Sequence, residues 1–387
     1  MKKKIAVLGA TGSIGTSTFK VLSAFHDRFE VTLLAANHNV KSLAHQAAVL
    51  KAHYAATADH GKFEELQNLI PDGCKAIAGM EAVTEFCASD NVDIVLCAIV
   101  GTAGLMPVLA ALQAGKTVAL ASKEVMVMAG ELVNKTLAES TGKIVPVDSE
   151  HSAIYQCLEG RNPDDVEKLV LTCSGGPFRE WTADKISSAT AADALKHPVW
   201  SMGAKITIDS STLMNKALEL VEAKYLFHTA PEQLEVIIHP ESIVHSMVRF
   251  SDGALLAQMS VPDMRFAIQY ALSSPVRWQG GLPELDLTAR PLTFFKPDPE
   301  KFPALTIAHN VLQRGGCAPA VMNAANEVAV AAFLREKINY RAIIEAVQHT
   351  LSVIPDTPQK DLAAVIEIDR EARIRTEEFL HKYTTML

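Results

Sequence analysis

The stretch Lys4-Ile5-Ala6-Val7-Leu8-Gly9-Ala10-Thr11-Gly12-Ser13-Ile14-Gly15 decides the fold. Ile5–Leu8 follows Lys2-Lys3-Lys4, a superficial signal-peptide pattern, but the apolar run is too short and breaks at Gly9. It reads as a first β-strand. The glycines follow with G-x-x-G-x-x-G spacing rather than G-x-G-x-x-G. Glycine lets backbone N–H groups approach a pyrophosphate, and the start of the next helix favours the anion. Placed directly after a strand and at the head of an alternating pattern, the turn reads as a dinucleotide site.

Working outward, further apolar runs lie at Val31–Ala35, Ile94–Ala98 and Thr117–Ala121, with helical patterns between them. That is the signature of βαβ units and a parallel sheet. Lys143–Val147 reads as a late strand, which Pro146 places at an edge or an end. Ile94 to Leu112 carries no charge and is long enough to span a membrane. Its Gly101, Thr102, Gly104 and Pro107 instead predict a buried strand, a loop and a helix start. No transmembrane segment is expected.

Beyond Asp148 the pattern stays mixed. Lys168–Thr172, Lys205–Ile208, Glu235–His239 and Ala254–Met259 read as strands, and Thr212–Leu226 and Asp263–Leu272 as helices. Prolines 275, 283, 291, 297, 299 and 303 mark a linker. Ala318–Glu336, Tyr340–Thr350 and Lys360–Lys382 carry helical spacing. The expected α/β architecture is an N-terminal Rossmann-like dinucleotide-binding domain (1–147), a central α/β catalytic domain (148–275), a linker (276–303) and a C-terminal α-helical domain (304–387).

Composition excludes several classes. The 387 residues are 49% hydrophobic, which rules out a disordered chain, and are enough for two or three domains. The net charge of −8 without a basic block argues against nucleic acid or a membrane surface as partner. Aromatics at 6% argue against a stacking platform for single strands. Six cysteines without a CxxC pair or a zinc pattern read as buried thiols in a reducing compartment.

Two clusters suggest chemistry. After the second strand come Asn37, His38 and Asn39, with no carboxylate to repel a 2′-phosphate, which favours NADP over NAD. In Val147-Asp148-Ser149-Glu150-His151, extended chain would point Asp148 and Glu150 to one side, where they repel unless a cation or proton intervenes. On a helix, Asn215, Lys216 and Glu219 share one polar face. Oxygen ligands suit Mg²⁺ or Mn²⁺ rather than zinc. From spacing alone, a solvated helix face and a surface acid remain open alternatives.

Several motifs occur in order: Gly12-Ser13-Ile14-Gly15, Ala121-Ser122-Lys123-Glu124, Pro146-Val147-Asp148-Ser149-Glu150-His151-Ser152 and Ser174-Gly175-Gly176-Pro177-Phe178-Arg179. These are followed by His197-Pro198-Val199-Trp200-Ser201-Met202-Gly203, Asn215-Lys216-Ala217-Leu218-Glu219, His239-Pro240-Glu241-Ser242 and Asn323-Ala324-Ala325-Asn326-Glu327. Over essentially its whole length the chain resembles the 1-deoxy-D-xylulose 5-phosphate reductoisomerases. The resemblance implies a cytoplasmic homodimer that rearranges its sugar-phosphate substrate and reduces the resulting aldehyde with NADPH. The product, 2-C-methyl-D-erythritol 4-phosphate, belongs to non-mevalonate isoprenoid biosynthesis. A divalent cation, Mg²⁺, Mn²⁺ or Co²⁺, is implied, with Asp148, Glu150 and Glu219 as its ligands. Lys123, Ser149, Glu150, Ser174, His197, Trp200, Ser210, Asn215, Lys216 and Glu219 would meet substrate, with Lys123, Glu150 and His197 as catalytic groups. Thr11, Gly12, Ser13, Ile14, Asn37, His38, Asn39, Ser122, Glu124 and Gly203 would meet the cofactor. His197–Ser210 would be a lid that excludes water. The family's common Gly-Lys-Asn is here Asn37-His38-Asn39, and its Asn-Lys-Glu is Ser122-Lys123-Glu124. The alternatives are a metal-assisted NADP-dependent sugar-phosphate or semialdehyde reductase without rearrangement, and a nucleotide-sensing protein with a dead site.

Overall fold

The computed structural model describes residues 2–200 and 202–386, with side chains through residue 382. The chain forms two compact units. The first comprises Met1–Val125, Val133–Tyr155 and Asp263–Glu284, and the second Met126–Leu132, Gln156–Pro262 and Leu285–Leu387.

In the first unit seven strands form one sheet: β1 Lys3–Leu8, β2 Phe29–Ala36, β3 Tyr54–Thr57, β4 Lys75–Ala78, β5 Ile94–Cys97, β6 Thr117–Leu120 and β7 Lys143–Pro146. Their order is β4-β3-β2-β1-β5-β6-β7 and every pairing is parallel. The order reverses beside β1, and in such sheets the ligand crevice opens at the carboxyl ends of the strands there. Pro146 lies on the edge strand β7, where its missing N–H disrupts no second ladder. The uncharged stretch is β5, a short turn and the helix Leu105–Gln113. No helix among the described residues is long and apolar enough to cross a membrane.

Ile5, Val7, Leu34, Leu96, Ala119 and Val145 of the sheet share a core with Val21, Leu22, Leu43 and Ala47 of two flanking helices. Ile268, Ala271 and Leu272 of the helix Met264–Ser273 join it, with Trp278 packed against it. This excursion of the chain therefore packs with the dinucleotide-type sheet.

The second unit holds a four-stranded sheet of β8 Val166–Cys173, β9 Leu234–Ile238, β10 Val244–Phe250 and β11 Leu255–Met259, in the order β11-β10-β8-β9. Helices Ala304–Arg314, Ala318–Leu334, Arg341–Val353 and Leu362–Met386 follow. Ala329, Val330, Phe333, Ile343 and Leu380 from three of them pack with Phe178, Ile186 and Ile208 in one core.

Five elements differ from the sequence reading. Lys205–Ile208 is not a strand but lies within the helix Ala204–Thr212. Its β-branched run Ile206-Thr207-Ile208 mimics a strand, yet buried Thr207, Ile208 and Ser211 fit a helical stripe. Strands β3 and β4 are four-residue runs, two of their residues alanine in each case, too plain to signal a strand. Strand β10 is buried at six of seven positions, so it shows no alternation. The helix Ala304–Arg314 hides behind the proline-rich linker composition.

Candidate functional site

In the first unit the singled-out residues sit at carboxyl ends of parallel strands. Gly9 follows β1 with φ +84°, and a Cβ there would lie 2.4 Å from the Ala98 carbonyl oxygen. Gly9 and Ala10 both donate backbone N–H bonds to the Ala35 oxygen at 2.9 Å. The helix Ser13–Ala24 starts at Gly12 with no side-chain cap. Its first N–H groups therefore face outward where a phosphate would be favoured. Gly12 and Ser13 are exposed, Thr11 and Ile14 half-buried. Side chains at Gly9 or Gly15 would collide with backbone carbonyls of Ala98 or of Gly9 and Ala10, so both glycines let the helix start close against the end of β1, a turn of the kind that fits a dinucleotide.

Asn37, His38 and Asn39 follow β2 and are exposed. Asn39 caps the helix Val40–Leu50, accepting from Ser42 N at 3.2 Å. The sequence reading found no carboxylate near this loop, and the structure supplies one. Strands β2 and β3 are in register, Ala36 against Thr57, which brings Asp59 to His38, Oδ2 to Nδ1 at 3.1 Å. Nothing local in the sequence joins residues 21 positions apart. The cue that could have found Asp59 is its place capping the turn His60–Lys62 after a short apolar run.

Ser122, Lys123 and Glu124 follow β6 and are buried. Ser122 donates to the Ile99 oxygen at 2.6 Å, bracing the loop after β5. Lys123 Nζ lies 2.8 Å from Asp148 Oδ2. Asp148 follows β7 and accepts from Ser149 N at 3.2 Å, while Ser149 Oγ donates to Glu150. Extended chain does not continue here: the helix Ser149–Leu158 begins at once, so Glu150 lies in its first turn. A helix start favours carboxylates, which explains two acids in three positions. Burial raises the Asp148 pKa, but the Lys123 ammonium and His151 outweigh it and hold the carboxyl far below the usual range.

In the second unit the Ser174-Gly175-Gly176 turn follows β8, with φ +82° at Gly175 and +66° at Gly176. A Cβ on Gly176 would meet the Ser210 carbonyl oxygen at 2.6 Å, so this turn abuts the helix Ala204–Thr212. His197 Nδ1 accepts from Trp200 N at 2.9 Å and Val199 N at 3.2 Å. Those bonds fix the tautomer: Nε2 carries the proton and donates to Ser174 Oγ at 3.0 Å. Burial lowers the His197 pKa to about 4, keeping the ring neutral.

A stability prediction follows from that neutral ring. The folded value lies below the ordinary 6.5, so the unfolded chain binds more protons between pH 6.5 and 4. The contribution is complete above pH 6.5 and is lost as pH falls toward 4. The stability difference between the parent chain and His197→Gln should shrink by about 2 kcal/mol from pH 7.5 to 4.5 in urea unfolding. An unchanged difference would remove the neutral-donor assignment.

Helix Ala204–Thr212 ends at Leu213, whose φ of +58° is left-handed. That break starts a new helix, Met214–Phe227, and sets Asn215 and Lys216 in its first turn. The sequence left a solvated face open, but Lys216 is 2% and Glu219 1% exposed. Asn215 and Lys216 donate to the two Glu219 oxygens. Asp209, also buried, is held by Lys205 at 2.9 Å and Asn326 Nδ2 at 2.7 Å, which anchors the helix bearing Ser210. Sequence reasoning missed Asp209. Trp200 is half-buried with its ring 6.4 Å from His245, and Gly203 is exposed. Ser201 of the lid segment lies outside the described residues. His239 has a structural place: Nδ1 meets the Thr293 oxygen at 2.9 Å and Nε2 accepts from Ile243 N.

Family models match three stretches of the chain: 1-deoxy-D-xylulose 5-phosphate reductoisomerase over residues 5–130, that enzyme's C-terminal domain over 144–227, and a DXP reductoisomerase C-terminal domain over 259–375. A 1-deoxy-D-xylulose 5-phosphate reductoisomerase of Chlorobium chlorochromatii (strain CaD3) is 47% identical over 98% of this chain and 100% of its own length. The enzyme of Zymomonas mobilis, solved in complex with NADPH, is 43% identical with a TM-score of 0.93, over 98% of this chain and 99% of its own. A DOX-P reductoisomerase solved with NADPH, fosmidomycin and magnesium is 37% identical with a TM-score of 0.94, over 98% of each chain. With family models across most of its residues and a relative of this identity along its whole length, the chain belongs to the 1-deoxy-D-xylulose 5-phosphate reductoisomerase family.

Proposed function

We propose that the chain rearranges 1-deoxy-D-xylulose 5-phosphate and reduces the resulting aldehyde with NADPH to 2-C-methyl-D-erythritol 4-phosphate, in non-mevalonate isoprenoid biosynthesis. The full-length identity to a reductoisomerase carries this reading. It supports the rearranging enzyme over a reductase without rearrangement. The test is loss of NADPH absorbance on adding the substrate, with and without Mg²⁺. Oxidation that requires the cation is expected, and no oxidation under either condition would overturn the reading.

Asp148, Glu150 and Glu219 are proposed as ligands of Mg²⁺, with Mn²⁺ and Co²⁺ as further candidates. An all-carboxylate donor set fits such hard cations. The cation supplies Lewis acidity and the nicotinamide supplies hydride. Lys123 and Glu150 are proposed to hold and move the proton of the reacting hydroxyl. Ser149 supports Glu150 through its hydroxyl. Ser174, Ser210, Asn215 and Lys216 bind substrate, several at its phosphate. With Nδ1 occupied by backbone donors, His197 serves as an N–H donor rather than a base. Trp200 closes over substrate and excludes water, and the expected lid His197–Ser210 shortens to the residues ahead of the anchored helix Ala204–Thr212. Thr11, Gly12, Ser13, Ile14, Asn37, His38, Asn39, Ser122, Glu124 and Gly203 bind NADPH.

A cytoplasmic homodimer completes the proposal. The six cysteines are free thiols, in keeping with a reducing compartment. Strand β11 is a sheet edge with Leu255 49% and Met259 40% exposed, a surface that favours pairing with a second copy. Leu255→Glu with Met259→Lys should shift the chain to monomer in sedimentation analysis. A dimer of unchanged affinity would place the interface elsewhere.

A further inference from the structure

Resting on the reading of residues 37–39 as the cofactor loop, we propose that Asp59 is a specificity-determining residue, holding His38 as the partner of the NADPH 2′-phosphate. An acid beside the end of β2 ordinarily favours NAD, because it accepts from the ribose hydroxyls and repels a phosphate. Asp59 stands in such a place, but its oxygens are engaged otherwise. Oδ1 accepts from Gly61 N at 2.9 Å and Oδ2 meets His38 Nδ1 at 3.1 Å. It therefore addresses the imidazole and not the ribose.

The geometry is braced from below. Thr57 Oγ donates to the Asn37 oxygen at 2.6 Å and Ala58 N to the Ala36 oxygen at 2.9 Å, so the ends of β2 and β3 move as one. His38 Nε2 accepts from Asn37 Nδ2 at 3.0 Å while Nδ1 donates to Asp59, and the His38 side chain is 70% exposed, so the ring stands at the surface of the loop. A carboxylate on Nδ1 fixes the ring's orientation, so that an arriving phosphate meets the Nε2 edge in place of the Asn37 amide. Lys62, the nearby cation that also acts on Asp59, is paired with Glu65 at 2.7 Å. His38 thus takes the place of a phosphate-reading lysine, and Asp59 makes that substitution effective. The backbone N–H of Gly61 and the His38 ring hold the Asp59 carboxyl below its usual range, so the partner is a carboxylate.

The test is isothermal titration of the full chain with NADPH and with NADH, for the parent, His38→Gln, Asp59→Asn and the double variant. Asparagine caps the turn His60–Lys62 as well as aspartate does, so the loop is preserved. Asp59→Asn should weaken NADPH about tenfold and leave NADH unchanged. The double variant should lose no more than His38→Gln alone, because the two residues act as one unit. Tighter NADPH binding in Asp59→Asn, or equal loss for NADH, would overturn the inference while leaving the loop reading intact. Unchanged NADPH binding in His38→Gln would overturn both.

Discussion

Glu219→Gln should lower turnover by a thousandfold or more, about 4 kcal/mol in the barrier, in a chain that still folds. Glutamine keeps the size of the side chain and one oxygen, so the helix Met214–Phe227 has no packing reason to change. What it removes is the negative charge that a hard cation requires of its ligand. Stability should fall too, since Lys216 is 2% exposed and loses its counter-charge. The amide oxygen can still accept from the ammonium, which limits the cost to about 1–3 kcal/mol. Turnover at saturating substrate, a Mg²⁺ titration and urea unfolding separate these effects. Turnover within tenfold of the parent, with unchanged Mg²⁺ dependence, would remove Glu219 from the metal site.

That prediction joins a residue read in the sequence to a setting that was not. The spacing of Asn215, Lys216 and Glu219 placed them on one helix face, and the structure has them there. Spacing could not say that the face is buried, because burial is decided by what packs against it. The same limit explains Lys205–Ile208. A run of β-branched residues suits a strand, and the helix wins through the burial of Thr207, Ile208 and Ser211 and the anchoring of Asp209 by Asn326, more than a hundred positions away. Conversely, β1 and its glycine turn were legible because their cause is local: an apolar run, then residues that alone accept the required backbone. Asp59 lies between these cases. Its capping role is local, but its meeting with His38 depends on the register of β2 with β3, which no short window contains.

The glycine turn carries the other large effect, a contrast between two glycines of one motif. Gly15 lies in the first turn of the helix Ser13–Ala24, and a Cβ there would sit 2.3 Å from both the Gly9 and Ala10 carbonyl oxygens. Neither can retreat cheaply, because the N–H groups of Gly9 and Ala10 are both tied to the Ala35 oxygen. Gly15→Ala must lift the helix off the end of β1. Backbone displacement of this kind costs about 3 kcal/mol, near 10 °C in the melting temperature of the first unit, and should weaken NADPH by about a hundredfold or more. Gly12 is the control. Its φ is −76°, and the one atom near a Cβ is the Gly9 oxygen at 3.4 Å, an ordinary contact. Gly12→Ala should therefore stay within about 1 kcal/mol of the parent in stability, and any loss of NADPH affinity there reports the cofactor's own approach to the exposed turn. The two variants thus separate the glycine that packs the helix on the strand from the glycine proposed to meet the cofactor. Equal melting temperatures for Gly15→Ala and Gly12→Ala would show that the close approach at Gly15 does not hold the turn together.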